Sequence, residues 1–193
     1  MNTPASSLRF RELSFTRLGL LGGLAACLLF GGGLRAAETG TLHEKLEVLR
    51  PFLGKTWRGE FKNSTPEKPQ VDVSHWERAL NGQAIRILHS INSGMYGGET
   101  LVFWDATKKQ ITYYYFTTAG FYTTGTMTVE GTKVTSREAV TGAAEGVTEV
   151  KAVSELRPDG TLQTRSEYLK NGAWVPGHEV NYREAADAKV VFK

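Results

Sequence analysis

The 193-residue chain has a single cysteine, Cys27. One thiol cannot form an internal disulfide or, on its own, a thiolate zinc site. Histidine is scarce too: His43, His75, His89 and His178 are the only four. They form no His-x-His pair. His43-Glu44 begins like a His-Glu-x-x-His helix, but Glu47 stands where the second histidine is needed. His75-x-Glu77 lacks the cysteines that complete a zinc deaminase fragment. A zinc site needs three or four converging ligands, so no metal is expected.

Excess charge is also lacking outside the first residues. Residues 1–37 hold Arg9, Arg11, Arg17 and Arg35 against Glu12. Removing these from the chain's 23 basic and 20 acidic residues leaves 19 of each. A neutral body has no bulk field to attract nucleic acid or an anionic membrane. No repeat, linker or charge block divides residues 38–193, and 40% hydrophobic content suffices for one globular domain.

What is present begins with an address. A basic start precedes the thirteen-residue apolar run Leu18–Phe30, and small residues follow up to Ala37. A membrane span needs about 20 apolar residues, so the order reads as a cleaved signal peptide over 1–37. The mature domain, 38–193, would then be periplasmic or secreted. Leu24-Ala25-Ala26-Cys27 also matches a lipobox, which makes a lipid anchor on Cys27 the alternative. Retention as an uncleaved anchor is the third outcome. In each case the membrane is met only through this segment.

Thr41 and Glu44 have capping-box spacing, and Leu42, Leu46 and Leu49 share one helical face. A short amphipathic helix is expected, ending before Pro51. From Thr56 the period is two. Strands are expected near 56–62, 70–80, 83–92, 99–105, 110–117, 121–130, 133–139, 147–157, 161–170 and 173–183. Turn pairs such as Asn81-Gly82, Gly131-Thr132 and Asn171-Gly172 separate them. Residues 140–146 are the loosest stretch. The fold class is all-β: a closed antiparallel up-and-down barrel of about ten strands, with the helix capping one end.

The turns assign faces, because opposed residues share a side. Asn81-Gly82 sets Trp76 against Ile87 and Ser74 against His89, with Glu77–Arg86 on the other side. Pro158-Asp159-Gly160 sets Tyr168 against Val150. Asn171-Gly172 carries Tyr168 to Val175, and so puts Glu179, Asn181 and Arg183 inside and His178 outside, unless a bulge shifts the register. The expected inward set is Trp76, Ile85, Ile87, His89, Phe121, Met127 and Tyr168. Six of these, Trp76, Ile87, His89, Phe121, Met127 and Tyr168, are the candidate ligand contacts. They form a mostly apolar lining with His89 and Tyr168 as polar handles. About half of the aromatic belt (Trp104, Tyr113 to Phe116, Phe121, Tyr122) should also face inward. No catalytic constellation emerges.

Leu53-Gly54-Lys55-Thr56-Trp57-Arg58-Gly59 resembles the first-strand signature of the calycin group, which includes lipocalins, fatty-acid-binding proteins and nitrobindin-like barrels. The spacing here is Gly-x-x-Trp rather than the usual lipocalin Gly-x-Trp. The Leu80-Asn81-Gly82 turn and Phe103-Trp104-Asp105 resemble uncharacterised secreted bacterial lipocalin-like proteins. The resemblance implies that an arginine of the last strand, Arg183, stacks on Trp57. It implies a fold more than an activity. With the expected lining, the leading expectation is an exported, non-enzymatic barrel that binds a small apolar or amphipathic molecule without a cofactor. Two alternatives stay open: an enzyme on the same barrel with His89 or Glu77 as base, and a haem or nitric-oxide carrier ligated by His89 or His178.

Overall fold

The structure, a computed structural model, describes residues 40–142 and 146–193. The expected signal segment 1–37, the lipobox Cys27 and the start of the mature domain lie outside the described residues.

Ten strands follow one another: β1 (Thr56–Phe61), β2 (Val71–Ala79), β3 (Ala84–Ile91), β4 (Tyr96–Asp105), β5 (Gln110–Thr117), β6 (Tyr122–Glu130), β7 (Lys133–Thr141), β8 (Val147–Leu156), β9 (Leu162–Lys170) and β10 (Ala173–Glu184). Each pairs antiparallel with the next, and β10 closes on β1. Closure removes the free edges that an open sheet would expose. Turn chemistry places the strands as expected. Trp76 opposes Ile87, Ser74 opposes His89, Val129 opposes Val134 and Tyr168 opposes both Val150 and Val175.

The leading helix differs in kind from the expected one. It is a 3-10 helix over Glu44–Phe52, with Pro51 inside it. Its cap is His43, whose Nδ1 accepts from the Lys45 N–H at 3.2 Å, rather than a Thr41–Glu44 box. The reason lies in its buried residues. Leu46, Leu49 and Phe52 are each 0% exposed and recur every third position. A spacing of three lines up on one side of a 3-10 helix, whereas an α-helix would rotate Phe52 away. This stripe packs on Trp57, Ile85, Val102, Ile111, Val134 and Leu162, forming the barrel floor. The His43 N–H donates to the Gly82 carbonyl at 2.8 Å, which ties the helix entry to the β2–β3 turn. Gly82 has φ +88°, and a Cβ there would strike the Thr41 carbonyl.

The larger correction is in β10. Pro176 opposes Glu167, but Glu179 opposes Arg165, so Gly177 and His178 together stand against Ser166. Proline has no N–H to give the ladder, and the strand bulges beside it. One extra residue moves every later side chain to the opposite face. His178, Val180 and Tyr182 therefore turn inward, and Asn181 and Arg183 turn outward. Arg183 does not reach Trp57. Its guanidinium instead donates to the Asp159 carbonyl at 2.7 Å and to Asp159 Oδ2 at 3.3 Å on the surface. Trp57 is 1% exposed, as its inward placement requires, and Lys55 Nζ lies 5.4 Å from its ring centroid. Arg183→Ala and Arg165→Ala should therefore both cost less than about 1 kcal/mol, the range of exposed ion pairs. Denaturant unfolding checks this. A loss of several kcal/mol for Arg183→Ala alone would restore the stacking contact.

Candidate functional site

Strand alternation sends every second side chain into the barrel. Above the helix plug these side chains surround a cavity of about 1190 Å³. Trp76, Ile87, His89, Phe121, Met127 and Tyr168 all line it. Ile85 lies below them, fully buried in the floor. Trp76 stands over the plug, its ring centroid 5.3 Å from that of Phe52. Phe121, in the β5–β6 turn, stacks on Tyr96 at 6.5 Å at the far end. Glu77 is elsewhere: on the exterior it accepts from Arg86 Nε at 2.5 Å, with His75 Nε2 at 3.7 Å.

The polar part of the lining is larger than the two handles expected. Asp72 on β2 is 4% exposed. Its Oδ1 lies 2.9 Å from His89 Nδ1, and its Oδ2 accepts from the Tyr182 hydroxyl at 2.8 Å. His89 Nε2 lies 2.7 Å from the Tyr115 hydroxyl, which lies 2.8 Å from the Tyr96 hydroxyl. A second cluster is built on Glu138 of β7. Its Oε2 accepts from the Tyr113 hydroxyl at 2.9 Å and from Thr123 Oγ1 at 2.7 Å. A third joins Tyr168 to His178, hydroxyl to Nδ1, at 2.5 Å.

Four inward tyrosines lie against glycines on neighbouring strands. A Cβ on Gly98 would strike the Tyr115 ring, and one on Gly125 would meet Tyr113 Cζ at 2.5 Å. On Gly59 it would meet Tyr182 Cδ1 at 2.8 Å, and on Gly177 Tyr168 Cζ at 2.9 Å. Without those side chains, Tyr115 can lean across to His89 and Tyr113 to Glu138. Trp104 of β4 packs inward on the core and Tyr96 lines the cavity, while the remaining aromatics of β4–β6 face out. Phe103, Tyr114, Phe116 and Tyr122 form an exterior ladder with centroids 6.2 to 6.4 Å apart.

Burial dominates the ionisation of these groups. It pushes the Tyr113 and Tyr115 hydroxyls far above the ordinary phenol range, with the Glu138 charge acting the same way. Tyr96 and Tyr168 are raised for the same reasons, against hydrogen bonds that lower them. Burial lowers His178, which favours a neutral ring. It raises the Glu138 carboxyl against the opposing pull of Thr123 and Tyr113. A carboxyl with a raised folded-state pKa holds its proton more tightly folded than unfolded. Stability therefore falls as pH rises from the ordinary carboxylate range through the raised value. Glu138→Gln keeps an acceptor for Tyr113 and Thr123 and removes the charge. It should melt higher than the parent at neutral pH, with the gap closing below about pH 4. A gap that widens toward acid would contradict this.

Among the described residues no three His, Cys, Asp or Glu side chains gather as a metal site. His89 does not suit an iron, because both its ring nitrogens are engaged. The Asp72, Glu138 and Tyr115 arrangement went unread in the sequence. Alternation could place each inside, but not beside its partner. No family model matches the chain, and no curated protein matches it.

Proposed function

We propose that the barrel is an exported carrier of the lipocalin-like kind that holds a small amphipathic molecule in its interior. The observation that carries this is the cavity, apolar at its floor and polar along its walls. That division matches a ligand with an apolar body and a polar head. The basic, apolar and small-residue order of residues 1–37 supports export.

Titration with the neutral probe N-phenyl-1-naphthylamine tests the reading. The probe should bind and quench tryptophan emission, since Trp57 and Trp76 lie at the cavity floor. Met127→Trp should weaken binding several-fold by filling space, and Trp76→Ala should change it. Glu77→Ala, on the exterior, should not. A folded protein that binds no probe would overturn the carrier reading.

The alignment Asp72–His89–Tyr115 favours a second reading, acid–base chemistry on the bound molecule. A carboxylate behind the ring orients a histidine base and fixes its tautomer, and here the proton would have to pass through the tyrosine hydroxyls. Conversion of a retained molecule, rather than its release unchanged, separates the two. Added haemin giving a Soret band and displacing the probe would point to haem through His178.

A further inference from the structure

We propose that the cavity selects an organic cation: an apolar or aromatic body bearing an ammonium group. This rests on the carrier reading and adds the charge of the ligand.

The first support is the inventory of charge. Among the described residues Lys62 is the only lysine or arginine lining the cavity, and its Nζ lies 3.0 Å from Glu179 Oε2. Asp72 and Glu138 thus face the interior with no lysine or arginine among the described residues left to pair with them. Buried carboxylates without a counter-charge favour an incoming cation and repel an anion.

The second support is a count of protons. Asp72, as a carboxylate, can only accept, so the His89 Nδ1 at 2.9 Å must donate to it. A neutral His89 then has only a lone pair on Nε2. The Tyr115 hydroxyl must donate to that lone pair, and the Tyr96 hydroxyl to Tyr115. Tyr96 has spent its proton and offers the cavity lone pairs alone. Across the interior, Glu138 Oε1 has no hydrogen bond among the described residues, both of the carboxylate's donors being on Oε2. Tyr96 and Glu138 line the same cavity, so the two acceptor ends open on one space. Two acceptor ends beside a carboxylate charge call for a head that donates and is positive. Ammonium is that group.

The third support is the walls. Trp76, Tyr96, Tyr113, Tyr115, Phe121 and Tyr168 line the cavity. The faces of such rings attract desolvated cations.

Calorimetric titration with decylammonium, decanol and decanoate at neutral pH tests the proposal, because the three differ only in the head. Decylammonium should bind at least about tenfold more tightly than decanol, a gap of about 1.4 kcal/mol, and decanoate should bind most weakly. Glu138→Gln should bring the ammonium and alcohol affinities together, whereas Glu77→Gln should leave the ratio at its parent value. Tyr96→Phe deletes one acceptor without touching Glu138, and should narrow the ratio even if the glutamine variant folds poorly. Decanol binding as tightly as decylammonium would overturn the cation inference and leave the carrier reading standing. If none of the three binds to folded protein, both readings fall.

Discussion

Phe52→Ala should lower stability by about 3–5 kcal/mol, the range for deleting a large buried ring. Phe52 is 0% exposed, and it closes the floor between the helix and Trp76. Its neighbours are held by β-strands on one side and by Leu46 and Leu49 on the other. Neither side can collapse into the space without breaking hydrogen bonds, so the void should persist. The void would also merge with the cavity above it and admit water beside Trp76. Denaturant unfolding should show the loss, and the same variant should release the neutral probe faster. Val48→Ala, on the same helix but 45% exposed, serves as the comparison and should cost well under about 1 kcal/mol. If Phe52→Ala were as mild, the helix would be an ornament on a self-sufficient barrel.

Much of this architecture was legible because each hairpin carries its own register. Asn81-Gly82 and Pro158-Asp159-Gly160 set the pairings on either side of them, and with those pairings came the inward positions of Trp76, Ile87, His89 and Tyr168. The reading failed where local chemistry interrupted alternation. Pro176-Gly177 was the available signal: a proline inside a strand demands a bulge or an edge, and a closed barrel has no edge. The bulge is the condition under which His178 and Tyr182 turn inward and Arg183 out, and Pro176 marks its place. The helix failed for a related reason. Leu46, Leu49 and Phe52 have a period of three that a 3.6-residue template partly absorbs.

The polar site was hidden differently. Asp72 meets His89 across 17 positions and Tyr182 across 110. Glu138 meets Tyr113 across 25. No motif spacing survives such separations in a barrel, since strand order and side-chain reach decide the contact. One sequence signal did exist. Inward glycines at Gly98 and Gly125 lie next to strands with inward tyrosines, and an absent Cβ marks the place where a ring can cross. The glycine pattern thus explains how β5 supplies a hydroxyl to both the Asp72 and the Glu138 cluster.

Asp72→Asn should reverse the polarity of the first cluster. The carboxylate now accepts from both His89 Nδ1 and the Tyr182 hydroxyl. An amide can accept on only one side. Burial, the largest cause that raises the Tyr182 hydroxyl well above its ordinary range, survives the substitution, so Tyr182 remains a donor that needs the amide oxygen. The amide nitrogen is then left facing His89, and its N–H must donate to Nδ1. A neutral imidazole responds by moving its own proton to Nε2. Nε2 then donates to the Tyr115 oxygen, Tyr115 donates to Tyr96, and the Tyr96 proton turns into the cavity. Loss of a charge-assisted bond should cost about 1.5–3 kcal/mol of stability. The ligand preference should shift from a donating head toward an accepting one, decanol and decanoate gaining on decylammonium. Nitrogen-15 spectra of His89 read the tautomer directly: the parent should carry its proton on Nδ1 and the variant on Nε2. If the proton stays on Nδ1 in the variant, the directed chain from Asp72 to Tyr96 is wrong, whatever the cavity binds.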